Sequence, residues 1–232
     1  MKKFFAKQFE DRFIFEGDEL AHFNVLRCKV GENVLCYGQD GFDYICEIKE
    51  ITKKQAIAII INKQKNIKNP VKNITLFQGL VKGEKLDLIV QKLTELGISN
   101  LYTFESEFAI AKANNNKIER LYKISLEACK QCGRSVPLNI YETIKFKDML
   151  EILKNYDIVL FANEKSTARV YDKIKECNNI ALIVGSEGGF SDKEIEQIYN
   201  SGAINFGLGN RILRAETAAI AMSAIVGFIV NV

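Results

Sequence analysis

The chain has 232 residues, of which 47% are apolar and 26% charged, and its formal net charge is +3. At roughly 150 residues per domain this length allows one large domain or two small ones, and we favour two unequal domains. The composition excludes a disordered or fibrous chain. No apolar stretch reaches the ~18 residues of a membrane span, and charge interrupts the N-terminal apolar residues too early for a signal peptide, so we expect a cytoplasmic protein.

The numbers of histidines and cysteines limit the kinds of catalytic and metal site that the chain can form. The one histidine, His22, excludes any site that needs two imidazoles. The six cysteines are expected to be free thiols, because a chain of this size without a secretion signal is rarely a disulfide scaffold. Cys129 and Cys132 fall late in a predicted helix without a second pair at metal-ligand spacing, so we expect no metal. The chemistry must therefore rest on carboxylates, arginines, the backbone or a cofactor.

The N-terminal part is rich in short segments of β-branched and aromatic residues. Strands are predicted at 33–38, 42–51 and 55–61, and turn residues at 39–41 separate the first two. These segments indicate a small β-barrel. Within it, a short helix is predicted from Asp18, as its cap, through Arg27.

The whole excess of positive charge lies in this first part. Residues 1–72 carry 13 Lys/Arg against 10 Asp/Glu, and residues 53–72 contain six lysines and no acidic residue. Such a run can bind a polyanion weakly through counterion release, or it can be a solvated strand and linker. The linker is placed near residues 65–73, where Asn69-Pro70 breaks any helix.

Beyond the linker, strands and helices alternate. The predicted strands are 74–79, 100–104, 157–162, 180–184 and 203–206, and the predicted helices are 85–96, 117–132, 192–200 and 215–230. This alternation predicts a parallel sheet with helices on both faces. We therefore expect an α/β domain at 73–232 after a β-barrel domain at 1–68.

A glycine-rich segment follows the strand that ends at Val184. It reads Gly185-Ser186-Glu187-Gly188-Gly189-Phe190, and Ser191 with Glu194 then form a capping box for the next helix. Because open parallel sheets bind ligands beyond the carboxyl ends of their strands, a ligand is expected here. The glycines let the backbone turn sharply and approach that ligand. The usual dinucleotide and nucleotide-triphosphate motifs are absent from the sequence.

A second unusual segment follows the strand that ends at Phe206. It reads Leu208-Gly209-Asn210-Arg211-Ile212-Leu213-Arg214-Ala215-Glu216-Thr217. Two arginines stand at the start of a helix, where the macrodipole disfavours cations, so an anionic partner is expected. That partner can be an RNA phosphate, a ligand carboxylate or the nearby Glu216.

These segments together resemble a known family. The motifs are the glycine-rich segment, then LGNRILRAETAA, and in family order His22-Phe23-x-x-Leu26-Arg27-x-x-x-Gly31, Lys82-Gly83, Gln91-Lys92-x-x-Glu95-Leu96-Gly97 and Glu127-Ala128-x-x-Gln131-x-Gly133-Arg134. Over essentially its whole length the chain resembles the bacterial small-subunit ribosomal RNA (uracil-N(3))-methyltransferases of the SPOUT class. One departure is Ser186, where the family usually has proline.

The resemblance implies a fold, a cofactor and an assembly. It implies an N-terminal PUA-like barrel, a C-terminal α/β domain tied in a trefoil knot, a homodimer and 16S ribosomal RNA as substrate. S-adenosylmethionine would lie in three loops. The implied cofactor-binding residues are Phe161, Ala162, Asn163, Glu164, Gly185, Ser186, Glu187, Gly188, Gly189, Leu208, Gly209, Ile212, Leu213 and Thr217.

Catalytic and RNA-binding residues are assigned on the same basis. Arg214 can stabilise negative charge on the uracil oxygens, and the base can be Glu187, Glu216 or Glu164. Glu187 can equally hold the turn by accepting backbone amides, which is the role we favour. The residues expected to contact RNA are Lys3, Arg12, Arg27, Lys82, Arg134 and Arg211, although Arg134 can instead cap helix carbonyls. The alternative function is a non-catalytic RNA-binding or ribosome-assembly module; a metabolite enzyme is weakened by the missing nucleotide motifs.

Overall fold

The structure, a computed structural model, describes residues 1–111, 118–163 and 171–231. The chain forms two compact units. The first contains Met1–Asn69 together with Cys129–Pro137, and the second contains Pro70–Ala128 and Leu138–Val232. A short segment from the middle of the chain therefore belongs to the first unit. The domains predicted at 1–68 and 73–232 are contiguous, so they do not place Cys129–Pro137 in the first unit. The functions assigned to the two domains stay predictions.

The first unit is built around a curled six-stranded sheet. Its elements are β1 (Lys3–Phe5), β2 (Lys7–Phe9), β3 (Arg12–Phe15), α1 (Gly17–Val25), β4 (Asn33–Tyr37), β5 (Phe42–Ile51) and β6 (Ala56–Lys65), with the strand order β1-β4-β5-β6-β3-β2. The inward-facing strand residues form a core in which Phe4, Phe13 and Phe15 are fully buried together with Phe23 of α1, whereas all three residues of β2 are exposed. The three predicted strands are present. The first three strands of the unit were not predicted, because three or four residues carry too little periodicity.

Helix α1 begins differently from the prediction. Its N-cap is Glu16, which makes no side-chain capping hydrogen bond, and Asp18 lies inside the first turn. The capping role predicted for Asp18 is therefore wrong. An acidic side chain in the first turn still interacts favourably with the helix dipole.

The second unit contains a seven-stranded parallel sheet. Its elements are β7 (Asn73–Gly79), α2 (Lys85–Glu95), β8 (Asn100–Glu105), α3 (Ile118–Cys132), β9 (Asn139–Ile140), β10 (Ile144–Lys145), α4 (Phe146–Leu153), β11 (Ile158–Ala162), α5 (Tyr171–Glu176), β12 (Asn179–Val184), α6 (Asp192–Asn200), β13 (Ile204–Phe206) and α7 (Ala215–Asn231). The strand order is β10-β8-β7-β12-β11-β13, with β9 paired to β8. The last turn of α3 belongs to the first unit.

Apolar cores lie on both faces of the parallel sheet. Alternate residues of β7 show this directly, since Leu76 belongs to a core with residues of α2 and α7, whereas Phe77 belongs to another with residues of α4 and α6. The prediction of helices on both faces is confirmed. The trefoil knot stays a prediction, because strand pairing does not test it. Among the described residues, no helix is both long and apolar enough to cross a membrane.

Parallel pairing brings the carboxyl ends of the strands to one edge of the sheet. The strand order places β12 between β7 and β11, and β13 beside β11. The segments that follow Ala162, Val184 and Phe206 therefore leave the sheet at the same edge. This edge holds the candidate site.

Candidate functional site at the carboxyl edge of the parallel sheet

The glycine-rich loop after β12 closes on itself. The amide of Gly189 donates a hydrogen bond to the carbonyl oxygen of Ser186 over 3.1 Å, and these two residues also form an isolated β-bridge. Gly189 has a φ of +70°, a backbone conformation that other residues rarely adopt. The helix that follows has the predicted capping box, in which the Ser191 hydroxyl accepts from the Glu194 amide and the Glu194 carboxylate accepts from the Ser191 amide. The loop is a constrained turn.

Two other glycines are required because a neighbouring segment approaches closely. A Cβ on Gly188 would lie 2.6 Å from the carbonyl oxygen of Phe108, and a Cβ on Gly79 would lie 2.4 Å from the backbone nitrogen of Ser186. Sequence reasoning explained Gly188 by a ligand, but in the structure its α-carbon faces the Phe108 backbone. It did not single out Gly79, although a glycine directly ending an apolar strand was the available signal.

Gln78 joins the ends of two neighbouring strands. Its Nε2 donates hydrogen bonds to the carbonyl oxygens of Gly185, over 2.8 Å, and Gly79, over 3.0 Å. The side chain is fully buried, and both partners are acceptors, which fixes the orientation of the amide. This residue was missed as well, although a glutamine inside the apolar strand ITLFQG was a usable signal.

The Glu187 carboxylate is occupied by protein donors. Its Oε1 accepts hydrogen bonds from the Lys82 amide at 3.1 Å and from the Lys85 ammonium at 2.9 Å. Although burial by itself raises the pKa of Glu187, the hydrogen bond from Lys85 and the backbone amides hold that pKa below its usual value. A carboxylate with a lowered pKa is a weaker base. The arrangement favours the structural role of Glu187 over the catalytic one.

The segment after β11 packs against the same loop. Phe161 is buried, and its ring meets that of Phe190 edge-on at 5.2 Å. Ala162 is partly buried, and Asn163 donates through Nδ2 to the hydroxyl of Tyr199 over 2.8 Å. Glu164, which was predicted to bind the cofactor and was a candidate base, lies outside the described residues.

The segment after β13 combines one packed end with an exposed middle. Leu208 packs against the core, whereas Gly209, with a φ of +103°, is exposed. Ile212 is 82% exposed, which is unusual for a large apolar side chain. Arg211, Arg214 and Thr217 are also exposed, and Leu213 is half-buried. An apolar surface beside cationic groups is thereby presented at the edge of the sheet.

The residues predicted to contact RNA fall into two groups. Arg134 is 2% exposed, its Nε donates to the carbonyl oxygen of Val136, and burial lowers its pKa. This burial disfavours RNA contact, and Val136 lies beyond the end of α3, so this hydrogen bond is not the predicted cap on a helix carbonyl. Lys3 likewise donates to the carbonyl oxygen of Lys130 in the last turn of α3. The remaining candidates, which are exposed, are Arg12, Arg27, Lys82 and Arg211.

The described residues contain no group of three or more histidine, cysteine, aspartate or glutamate side chains that could hold a metal ion. All six cysteines are free thiols. The site therefore offers carboxylates, cationic side chains and exposed backbone as its functional groups.

Comparison with known proteins gives consistent matches. A family model described as an RNA methyltransferase domain matches residues 67–227, and one described as an RNA methyltransferase PUA domain matches residues 15–61. The ribosomal RNA small subunit methyltransferase E of Bacillus subtilis is 31% identical, covering 92% of this chain and 89% of that protein. The protein of the same name from Mesomycoplasma hyopneumoniae is 32% identical, covering 95% and 96%.

Solved structures agree with the sequence matches. A ribosomal RNA small subunit methyltransferase E from Neisseria gonorrhoeae, solved bound to S-adenosyl methionine, has a TM-score of 0.87 at 27% identity, covering 97% of this chain and 96% of that one. A protein from Porphyromonas gingivalis described as a "probable rRNA-methyltransferase" shares the fold, with a TM-score of 0.84 at 22% identity, covering 100% of this chain and 99% of that one.

Proposed function

This chain belongs to the RNA methyltransferase family that includes ribosomal RNA small subunit methyltransferase E, and from that membership we propose that it methylates small-subunit ribosomal RNA with S-adenosylmethionine. The proposed target is N(3) of a uridine, as the motifs of the glycine-rich and LGNRILRAETAA segments imply. Because the proposed substrate is ribosomal RNA, the proposed place of action is the cytoplasm.

One observation carries the proposal. The segments after β11, β12 and β13 leave the sheet at a single edge, and the glycine-rich loop among them is pinned by Gln78 and Gly79. Such an edge is where open parallel sheets bind their ligands. The exposed backbone at Gly209 and the exposed apolar side chain of Ile212 suit an adenosine group, which needs both hydrogen-bonding backbone and apolar contact.

The cofactor, when bound, supplies a methyl group activated by a positively charged sulfur. The residues proposed to hold it are those of the three loops, from Phe161 to Asn163, from Gly185 to Gly189 and from Leu208 to Leu213. Their contribution to the rate is positioning, because a rigid loop fixes the distance and angle at which the reacting atoms meet. The tight packing around Gly185 and Gly188 in the glycine-rich loop supports that role.

Arg214 is the proposed electrostatic catalyst. It is exposed directly before α7, where its carbonyl oxygen accepts from the Ala218 amide. Its guanidinium group can stabilise the negative charge that a uracil develops on its oxygens as the N(3) proton leaves. Glu187 is already held by donors, so we assign it to the loop and not to proton transfer.

The first unit is proposed to bind the RNA. Lys53, Lys54 and Lys65 are exposed on or beside β6, and Arg12 and Arg27 are exposed elsewhere in the unit. Phosphate contacts from such side chains position an RNA without reading its sequence. The homodimer implied by the family resemblance is proposed as the active form.

The test is methyl transfer to small ribosomal subunits that lack the modification, with labelled S-adenosylmethionine and mass-spectrometric mapping of the product nucleotide. We expect one methylated uridine, modified at N(3). Arg214→Met should lower kcat strongly while leaving the Kd for the cofactor within about twofold, and Arg214→Lys should retain part of the rate. RNA binding without cofactor binding or methyl transfer would instead indicate a non-catalytic module.

A further inference from the structure

One lysine joins three elements at the edge of the candidate site. Lys85 is the first residue of α2, and its Nζ lies 2.9 Å from Oε1 of Glu187 and 3.5 Å from Oε2 of Glu216. Glu187 belongs to the loop after β12, and Glu216 to the first turn of α7. The ammonium group therefore links two segments that are otherwise far apart along the chain.

The three charged groups of Lys85, Glu187 and Glu216 are partly buried, so solvent screens their interaction incompletely. The side chains of Lys85, Glu187 and Glu216 are 33%, 27% and 12% exposed. Oε2 of Glu216 is buried and has no hydrogen-bond partner among the described residues, so the ammonium at 3.5 Å is the counter-charge that the structure gives it. Partly buried pairs are screened less than surface pairs, and removing one member leaves an uncompensated charge.

Lys85 acts alongside a backbone contact that cannot replace it. The Lys82 amide also donates to Glu187, but it does not reach α7 in any described contact. The hydrogen bond of this amide fixes the loop to the turn before α2. The ammonium group of Lys85 adds the connection to Glu216, and with it the connection to the segment that ends at Arg214.

We propose that Lys85 is a positioning residue whose ammonium group holds the glycine-rich loop and the first turn of α7 in a fixed relation through Glu187 and Glu216. This role rests on the proposed function, since the glycine-rich loop is one of the three cofactor segments and the first turn of α7 directly follows another, Leu208 to Leu213. Lys85 itself need not touch the cofactor. It acts by keeping the two surfaces that contact the cofactor in register.

The charge of Lys85 is the property that matters. Methionine at this position has a similar length and apolar stem but leaves the two carboxylates without a counter-charge. Arginine keeps the charge and can donate to both carboxylates at once. Lys85→Met should therefore disconnect the two elements, and Lys85→Arg should keep them connected. Lys92→Met is the matched control, because Lys92 lies on the same helix and pairs at 3.0 Å with Glu95 instead of the loop.

The first measurement needs no ligand. Hydrogen exchange in the peptide that contains Gly189, whose amide donates to Ser186, reports how firmly the loop is closed. Lys85→Met should speed exchange there by about tenfold, equivalent to about 1.4 kcal/mol of local opening, while Lys85→Arg and Lys92→Met stay near the wild-type rate.

The second measurement is the Kd for S-adenosylmethionine as a function of pH. Burial raises the pKa of Glu187, and the hydrogen bond from Lys85 and the backbone amides lower it, so loss of Lys85 removes one of the opposing contributions and moves that pKa upward. The carboxylate then protonates at higher pH. The acid limb, which is the range of low pH over which cofactor binding weakens, should shift to higher pH in Lys85→Met. In Lys85→Arg it should return towards the wild-type position.

Two results would overturn the positioning role. One is wild-type exchange at Gly189 in Lys85→Met. The other is weakened cofactor binding with an unmoved acid limb and no recovery in Lys85→Arg, which indicates packing alone. Failure of the wild-type chain to bind S-adenosylmethionine would contradict the proposed function instead, and the exchange measurement would still decide whether Lys85 holds the glycine-rich loop closed.

Discussion

The Cα of Gly79 packs so closely against the Ser186 backbone that a Cβ on Gly79 would lie 2.4 Å from the Ser186 nitrogen. Both residues lie just beyond the last pair of the β7–β12 ladder, in which Gln78 pairs with Val184. No side chain fits between two backbones at that distance. The end of β7 therefore sets where the glycine-rich loop begins.

Gly79→Ala tests this contact. The added methyl group must displace backbone, so we expect a loss of about 1 to 3 kcal/mol in the free energy of unfolding, together with weaker cofactor binding. Gly38→Ala is the control, because the one contact of its Cβ that is too close, at 2.9 Å, is with the end of the Gln8 side chain, which can move. Urea unfolding and calorimetric titration measure the two effects. Equal stability of the two variants would contradict the close contact.

Glu194 connects helix α6 to the segment after β8. The residue is 6% exposed, and its two carboxylate oxygens accept hydrogen bonds from the Ser191 amide at 3.0 Å and the Glu107 amide at 2.9 Å. Glu194→Ala leaves both amides without their acceptor, so we expect a loss of about 2 kcal/mol in the free energy of unfolding. Glu196→Ala, an exposed change on the same helix, should stay within about 0.5 kcal/mol of wild type. Thermal unfolding measures the stability of both variants, and an equal loss in the two would contradict the role of the Glu194 hydrogen bonds.

Asn69 holds the returning segment in the first unit. Its Oδ1 accepts from the amides of Ser135 and Val136 at 3.0 and 3.1 Å, and its Nδ2 donates to the Ser135 hydroxyl. Asn69→Ala should lower the free energy of unfolding by at least about 2 kcal/mol, since buried amides lose their acceptor. Asn62→Ala, on the exposed part of β6, is the control. A smaller effect at Asn69 than at Asn62 would show that the segment is held by other contacts.

The boundary between the two units within α3 is not visible in the sequence. The helical pattern of α3 is continuous, so nothing in it indicates that the last turn, from Cys129 to Cys132, belongs to a different unit from the rest. Deletion of residues 1–68 would leave the 129–137 segment without most of its unit. Substitutions of exposed lysines are therefore the better test of RNA binding.

Elements with a long, regular pattern were predictable from sequence. Strand β5 and helix α6 have the predicted bounds, Phe42–Ile51 and Asp192–Asn200, because alternation defines the strand and a capping box marks the start of the helix. The two-residue strands β9 and β10 were missed because they are too short for any period. Helix α4 was also missed.

The site was predictable only where its signal was local. The glycines from Gly185 to Gly189 are grouped in sequence and were found. Lys85 and Glu187 are 102 residues apart, and neither residue type nor spacing indicates that they meet. Gly79 was missed for the same reason, since Ser186, whose backbone requires a glycine there, lies in the loop after β12.

Tyrosine ionisation gives a prediction at high pH. Tyr102 stacks on Tyr141 with ring centroids 4.1 Å apart, and burial, with Tyr141 and Tyr156 adding to it, raises the pKa of Tyr102 to about 12. The folded state thus keeps a proton that the unfolded chain releases near pH 10. The free energy of unfolding should fall as pH rises from about 10 to 12. In Tyr102→Phe the free energy of unfolding should fall less steeply over that range, as measured by urea unfolding at each pH. Identical slopes for the variant and the wild type would contradict the raised pKa of Tyr102.

The proposed homodimer requires an exposed apolar surface, and the sequence predicts two candidates, the stripe of Leu86, Ile89, Val90 and Leu93 on α2 and the end of α7 from Val226 to Val230. In the structure the α2 stripe packs into the chain's own core, so it is not free for a partner. Phe228 on α7 is 71% exposed and Leu88 on α2 is 41% exposed. Helices α2 and α7 pack against each other, so both side chains belong to one helix pair.

Phe228→Asp therefore tests the dimer without disturbing the core. Placing a charge in an apolar interface should raise the dimer dissociation constant by more than about tenfold, because the carboxylate loses its water there without gaining a partner. Val25→Asp, at an apolar side chain 77% exposed in the first unit, should leave association unchanged. Sedimentation equilibrium at micromolar concentration measures both variants, and rRNA methylation by the same samples shows whether the dimer is required. A wild-type chain that sediments as a monomer and methylates at full rate would contradict the dimer as the active form.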